Sequence, residues 1–362
     1  MYFIDGKQRY IINRDWLSFS VRARTRVDTL QFRIPPFVDY EELTGTNSYK
    51  RRAIVTDKAN DKILTILWLP YSPLIDRQLV FVEVGNAYLY GKLESALLLL
   101  ESMFDFDYGN ISRYDVCCDF NPTSRQKSVI RRLGSRECYI QRFTDGSAFY
   151  RDGQLNCVSY GGSTSMVKIK CYNKTLELKV GGANVEKPYI VSQWKELYMD
   201  VYNVWRWEFS LNSISSILMS NQRVSIRDVM SDEYMCELFI SLYVDKCKIK
   251  IDTGKVRKSS NPDVSFLKFP NYKHLKISKK VSEDEGNVML YAKEVMHLIK
   301  EIDESKVIKG SERLLRKYTD VIMSMRNPHL DRYLNKVYGI DIARILEDWL
   351  FGSSTTVKYY GG

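Results

Sequence analysis

The stretch Ser112-Arg113-Tyr114-Asp115-Val116-Cys117-Cys118-Asp119 is one of the two most informative segments of this chain. Alternate side chains of a β-strand share one face, so Arg113, Asp115 and Asp119 line up together and the tyrosine and valine point the other way. Carboxylates and an arginine do not pack against an apolar layer unless they are paired. The polar face of this strand is therefore a structural ion pair, a solvated surface or a functional site.

A second segment, Lys168-Ile-Lys170-Cys-Tyr172-Asn-Lys174-Thr-Leu-Glu177, shows the same alternation. As a strand it places Tyr172 between lysines on one face and an apolar row on the other. A phenol has a pKa near 10, and nearby cations or a divalent metal favour its nucleophilic phenolate form. The alternative interpretation is a half-exposed tyrosine in an ordinary sheet.

A third strand, Val204 to Leu211, presents Arg206 and Glu208 on one face and Trp205 and Trp207 on the other. Glu208 adds a further carboxylate to those of the first strand. Hard carboxylate oxygens select Mg²⁺ or Mn²⁺, so we expect one of these ions if the strands build a metal site.

The remaining patterns predict an α+β fold. A mostly antiparallel β-sheet domain with flanking helices is expected over residues 1–280, followed by a C-terminal helical module over 281–362. We predict helices over Leu93–Phe104, from Pro122 to Gly134 and over Trp194–Tyr202, hairpin turns at Asp145-Gly146 and Asp152-Gly153, and continued sheet over Met166–Val180.

Composition narrows the class of partner. The 362 residues carry a net charge of +10 and include 25 tyrosines, which favours a polyanion and, with flat rings to stack on bases, nucleic acid. A basic but otherwise ordinary enzyme is the alternative. The seven cysteines form no C-x-x-C pair, which argues against a zinc cage and predicts reduced thiols. With no apolar run of about 20 residues, we expect a cytoplasmic protein without membrane contact.

Residues 246–280 are rich in lysine and arginine, interleaved with aromatic rings. Lys255, Arg257 and Lys258 are the densest part of this stretch. The pattern suits a loop that contacts DNA phosphates, and it suits a solvated charged loop equally well.

Four blocks together resemble the family of plasmid rolling-circle replication initiation factors and relaxases. They occur in the family's order between about residues 10 and 215. The blocks are Asp15-Trp-Leu-Ser-Phe19, Arg113-x-Asp115-x-x-x-Asp119-Phe120, Tyr172-x-Lys174-x-x-Glu177 after a glycine-serine stretch, and Trp205-Arg206-x-Glu208. The paired histidines of other rolling-circle nucleases have no counterpart here, so a metal would be held mainly by carboxylates.

The resemblance implies a metal-dependent DNA nicking and joining enzyme that forms a 5′-phosphotyrosine intermediate and leaves a 3′-hydroxyl. It does not separate replication initiation from conjugative transfer by a relaxase, and a non-catalytic origin-binding protein of the same fold is a further alternative. The expected partner is origin DNA, single-stranded or in a hairpin, with a host helicase and a homodimer as additional candidates.

By the same resemblance each site residue receives an expected role. Tyr172 is the nucleophile, Lys174 and Arg206 support the phosphate, and Glu177 orients Lys174 or serves as a base. The implied metal ligands are Asp115, Glu208 and Asp119. The cations of these strands and of the basic stretch at 246–280 are the expected DNA contacts: Arg113, Lys168, Lys170, Lys255, Arg257 and Lys258.

Overall fold

The computed structural model divides into two compact units, Met1–Lys279 and Lys280–Gly362, one residue before the boundary expected from the sequence. The residues it describes are 1–5, 8–72, 76, 78–143, 145–162, 165–180, 187–212, 217–219, 222–254, 261–269, 274–275, 277–279, 292, 295–302, 304–305, 312–325, 330–331, 334–335 and 339–351.

The first unit is built on strands. In chain order the strands are β1 (Tyr2–Asp5), β2 (Gln8–Ala23), β3 (Val38–Thr44), β4 (Tyr49–Asp57), β5 (Lys62–Pro70), β6 (Leu79–Val84), β7 (Phe106–Phe120), β8 (Cys138–Ile140), β9 (Gly146–Arg151), β10 (Gln154–Tyr160), β11 (Val167–Asn173), β12 (Trp205–Asn212), β13 (Ile217–Met219), β14 (Gln222–Arg223), β15 (Ile249–Ile251), β16 (Asp263–Val264) and β17 (Ile277–Lys279).

Eleven of these strands form one antiparallel sheet in the order β3-β4-β5-β6-β2-β7-β12-β11-β10-β9, with β1 paired to β2. Two small sheets, β14-β13-β17 and β16-β15-β8, complete the strand pairing among the described residues. The predicted α+β class with a large antiparallel sheet is therefore confirmed.

The two longest strands of the sheet, β2 and β7, pair with each other. These two strands have 16 and 15 residues, and every residue of β7 from Tyr114 to Phe120 is buried. The row of Tyr114, Val116 and Cys118 enters the apolar core, as the alternation predicts. Because the other face is buried as well, the carboxylates of this strand must find partners inside the protein.

Helices of the first unit pack against strands of the sheet. The described helices are α1 (Asn86–Leu89), α2 (Leu93–Met103), α3 (Ser124–Gly134), α4 (Lys174–Val180), α5 (Pro188–Glu196), α6 (Ile226–Met230), α7 (Asp232–Lys246), α8 (Glu312–Met325) and α9 (Ile342–Phe351). Helix α3 begins with the capping box of Thr123 and Gln126 and buries Ile130 and Leu133.

The strand expected over Met166–Val180 ends earlier than predicted. Strand β11 stops at Asn173, and helix α4 follows at once. The side-chain oxygen of Asn173 accepts a hydrogen bond from the amide N–H of Leu176 at 3.0 Å. This is the geometry of a helix N-cap, which stabilises the change from strand to helix. Lys174 therefore does not lie on the strand face with Tyr172.

Two further local predictions were wrong, and one is confirmed. The helix expected over Trp194–Tyr202 lies earlier, because Pro188 can occupy the first helical turn of α5. Asp145-Gly146 does not join paired strands, since β8 pairs with β15 rather than β9. The Asp152-Gly153 hairpin is present, with positive φ at both residues, between β9 and β10.

The described part of the second unit is helical. Helices α8 and α9 belong to it, residues 295–302 are also helical, and buried aliphatic side chains such as Ile302, Ile322 and Leu346 form a separate apolar cluster. Within the parts of the chain that the structure describes, no helix is long and apolar enough to cross a membrane.

Candidate active site

Three neighbouring strands bring the sequence-predicted polar residues to one face of the sheet. Strand β12 lies between β7 and β11, with Arg206 opposite both Asp119 and Tyr172. Glu208, two positions along β12, shares the face of Arg206. Beside Tyr172 and Glu208 lies a cavity of about 540 Å³, lined by Asp15, Trp16, Arg113, Asp115, Arg151, Asn156, Cys157, Lys170, Tyr172, Leu176, Glu177 and Glu208.

The hydroxyl of Tyr172 donates a hydrogen bond to Oε2 of Glu208 at 2.9 Å. Burial and the adjacent Glu208 carboxylate raise the pKa of Tyr172 well above its usual value. The phenol is therefore neutral at physiological pH, and its proton points at the group that could accept it.

Two of the cavity carboxylates, Glu208 and Asp115, are held in different ways. Burial raises the pKa of Glu208, and the nearby charges of Asp15 and Asp115 raise it further. Burial also raises the pKa of Asp115, although the Arg113 guanidinium opposes this shift. Arg113 binds both oxygens of Asp115, with Nε 3.0 Å from Oδ1.

Arg206 and Asp119 form a fully buried pair beneath the cavity. The guanidinium donates from Nε to Asp119 Oδ1 at 2.6 Å and from Nη2 to Oδ2 at 2.8 Å, and the Trp194 indole N–H donates to Oδ2 at 2.9 Å. Both side chains are 0% exposed. These partners favour a structural role for Asp119 and Arg206, in place of the direct contacts with metal or phosphate that the resemblance implies.

Asp15 is a cavity residue for which the strand alternation gives no signal. In the β2–β7 pairing Arg14 lies opposite Val116 and Trp16 opposite Asp115, so Asp15 is an extra residue in a β-bulge. The bulge lets Asp15 accept a 2.5 Å hydrogen bond from Nη1 of Arg206. Burial alone would raise the pKa of Asp15, but the charges of Arg206, Lys174 and Lys187 lower it below its usual range.

Helix α4 places the two charged residues that follow the tyrosine. Lys174 is 1% exposed and pairs with Glu177 at 2.6 Å. Its ammonium lies 5.5 Å from the centre of the Tyr172 ring, over the ring face. Lys174 thus acts on the phenol through space, while Glu177 holds the ammonium and also lines the cavity.

The predicted DNA-contacting residues separate into three groups. Lys170 and Arg113 line the cavity, with the Lys170 ammonium 3.8 Å from Oε1 of Glu208. Lys168 lies on β11 opposite Ser210, outside that lining. Lys255, Arg257 and Lys258 lie outside the described residues, so their role stays a prediction.

Carboxylate side chains from separate strands line this cavity. Asp115, Glu208 and Asp15 bring carboxylates to one cavity, and Mg²⁺ and Mn²⁺ prefer such ligands. Their mutual repulsion, which contributes to the raised pKa of Glu208, is what a bound cation relieves. Within the described ranges, however, no group of three or more His, Cys, Asp or Glu side chains is arranged as a metal-binding cluster.

Comparison with known proteins gives a structural match but no match to a family model or a curated protein. Among solved structures, a rolling circle replication initiator protein from Geobacillus stearothermophilus matches with 14% identity and a TM-score of 0.40, covering 71% of this chain and 93% of that one.

Proposed function

We propose that the protein is a rolling-circle replication initiator whose chemistry is a tyrosine transesterification on DNA. The observation that carries the proposal is the 2.9 Å hydrogen bond from the Tyr172 hydroxyl to Glu208, in a cavity bordered by Arg113 and Lys170. The sequence resemblance and the net charge of +10 support a DNA substrate.

In the proposed reaction the Tyr172 oxygen attacks the phosphorus of a DNA phosphodiester. Glu208 accepts the phenolic proton as the new P–O bond forms, because it already accepts the hydrogen bond from that hydroxyl. The bond to the 3′ oxygen breaks, and this oxygen takes a proton from the solvent-open side of the cavity. The products are a 5′-phosphotyrosine and a free 3′-hydroxyl.

Cations around the tyrosine stabilise the negative charge that develops during this attack. Arg113 and Lys170 line the cavity and can approach the non-bridging oxygens of a phosphate. Lys174, fixed by Glu177, lowers the cost of negative charge on the phenol oxygen. Arg206 and Asp119 act indirectly, because they hold β7 and β12 together beneath the site.

Asp115 and Glu208 are the residues that would hold Mg²⁺ or Mn²⁺. Such an ion, when bound, supplies positive charge to the phosphate and favours the phenolate. Arg113, which grips Asp115, then sets the orientation of that carboxylate toward the cavity.

The test uses a labelled oligonucleotide hairpin, Mn²⁺ and the full chain. Wild type should form a covalent protein–DNA adduct resistant to denaturant, and Tyr172→Phe should form none while binding the hairpin with similar affinity. Tyr198→Phe, at a position 84% exposed and outside the cavity lining, is the matched control and should behave as wild type. Binding without any adduct in wild type would indicate a non-catalytic DNA-binding protein.

A further inference from the structure

A second cavity of about 720 Å³ lies next to the first and has no part in the chemistry described above. It is lined by Ser124, Lys127, Ile130, Arg131, Tyr150, Gly153, Gln154, Leu155, Asn173, Leu176, Asn203 and Trp205. Its volume is within the range of about 300–1,000 Å³ that is common for ligand sites. The cavity therefore has room for a nucleotide.

The two cavities are neighbours and lie against opposite faces of strand β11. Tyr172 lines the first and Asn173, the next residue of β11, lines the second, so they lie on opposite faces. Leu176 of helix α4 lines both cavities. The β9–β10 hairpin also contributes to both, through Arg151 on one side and Gly153 on the other.

The lining of the second cavity combines cations with aromatic rings. Lys127 and Arg131 are exposed on α3, four residues apart and so on one helix face. Tyr150 is 57% exposed, and Trp205 adds a largely buried indole. Phosphate-binding cations beside an exposed ring are the combination that holds single-stranded nucleic acid.

Gly134 leaves room for the hydroxyl end of this exposed ring. A Cβ at Gly134, the last residue of α3, would lie 2.7 Å from a methyl of Leu155 and 3.2 Å from the hydroxyl of Tyr150. The absence of a side chain there lets the β9–β10 hairpin pack closely on the end of α3. Tyr150 and Arg131 consequently border the same cavity.

We propose that the second cavity binds single-stranded DNA flanking the scissile phosphate. The strand passes from Tyr172 over Leu176, between α4 and the β9–β10 turn, into this cavity. Lys127 and Arg131 bind its phosphates, and Tyr150 stacks on one unpaired base. The proposal rests on the proposed function, because it takes the DNA strand at Tyr172 as its starting point.

The test measures DNA affinity in the Tyr172→Phe background, so that cleavage cannot affect the result. Oligonucleotides of increasing length on each side of the cleavage site are titrated against salt. The double variant Lys127→Ala/Arg131→Ala should lower the slope of log affinity against log salt by about 0.7 for each lost phosphate contact. Tyr150→Ala should weaken binding roughly tenfold without changing that slope.

The length series and a matched variant make the result specific. The losses should appear only for oligonucleotides long enough on one side to reach the second cavity, and short ones should bind all variants equally. Arg125→Ala, on the same helix but outside the lining, should leave affinity and slope unchanged. The thermal unfolding of Arg125→Ala and Arg131→Ala is compared as well. Equal unfolding temperatures would show that a difference in DNA affinity does not come from a difference in helix stability.

The outcomes separate this proposal from the proposed function. Equal affinities and slopes for all variants at every length would overturn the second cavity as a DNA site, even if wild type forms the tyrosine adduct. A length-dependent loss without any adduct in wild type would support the binding site and overturn the catalytic proposal. A loss at all lengths alike would also contradict the proposal, because it would show a contact independent of the flanking strand.

Discussion

Tyr172 and Glu208 lie on adjacent strands, and the hydroxyl of the first donates to Oε2 of the second at 2.9 Å. The register places Glu208 opposite Lys170 rather than opposite Tyr172, so the bond runs diagonally between the two strands. This diagonal leaves the phenol oxygen at the cavity while its proton is already directed to an acceptor.

Glu208→Gln should slow adduct formation by about 10²- to 10⁴-fold, the usual contribution of a general base. DNA binding should change little, because glutamine keeps the shape of the side chain. Single-turnover cleavage and equilibrium binding would be measured on the same hairpin. An unchanged cleavage rate would remove Glu208 from the mechanism.

The rate of adduct formation should rise with pH over an acidic limb set by Glu208. Only the ionised carboxylate can accept the phenolic proton. Burial raises the pKa of Glu208 and a bound cation would oppose that shift, so the balance of the two sets the position of the limb. The limb should disappear from the pH–rate profile of Glu208→Gln. A limb that persists in this variant would belong to another group.

Asp119→Ala should destabilise the first unit by about 3–5 kcal/mol, because it leaves the buried Arg206 guanidinium without its main partner. Chemical denaturation would measure the change. Asp107→Ala, which removes the exposed partner of Arg24, is the control and should cause no measurable loss. An equal effect of the two substitutions would contradict the structural role of Asp119.

Asn173→Ala should cost about 1 kcal/mol of stability through loss of the N-cap of α4. It should also slow adduct formation, because Lys174 and Glu177 begin that helix. Asn173→Ser, which can still cap, should retain most of both properties. Denaturation and single-turnover rates of the two variants provide the comparison.

Removal of divalent cations should abolish adduct formation. Adding Mn²⁺ back to the cation-free protein should release or absorb a measurable heat of binding. Calorimetric titration of Mn²⁺ into wild type, Asp115→Asn and Glu208→Gln tests the ligands directly. Both variants should bind Mn²⁺ more weakly than wild type. Equal heats in all three proteins would exclude these two carboxylates as ligands.

Strand alternation predicts correctly which polar side chains share a strand face, since it depends only on local geometry. It places Asp115 and Asp119 on one face of β7, and Arg206 and Glu208 on one face of β12. It fails at Lys174, because Asn173 caps a helix that begins at Lys174, whereas the pattern predicts that the strand continues to Val180.

The other features of the site that strand alternation does not predict depend on contacts between distant segments of the chain. The position of Asp15 depends on a bulge in the pairing of β2 with β7, two strands far apart in sequence. The pairing of Asp119 with Trp194 also joins distant segments, 75 residues apart. Neither contact leaves a periodic signal in the local sequence, so only the folded chain shows them.

The bulge at Asp15 also bears on how related chains should be aligned. Deleting this one residue would give β2 and β7 a more regular ladder and would at the same time remove the carboxylate that Arg206 reaches. A one-residue gap at this point in a homologue would therefore mark the loss of part of the site rather than harmless variation in length. In an alignment of such chains, the position of Asp15 alone would then separate homologues that keep this part of the site from homologues that have lost it.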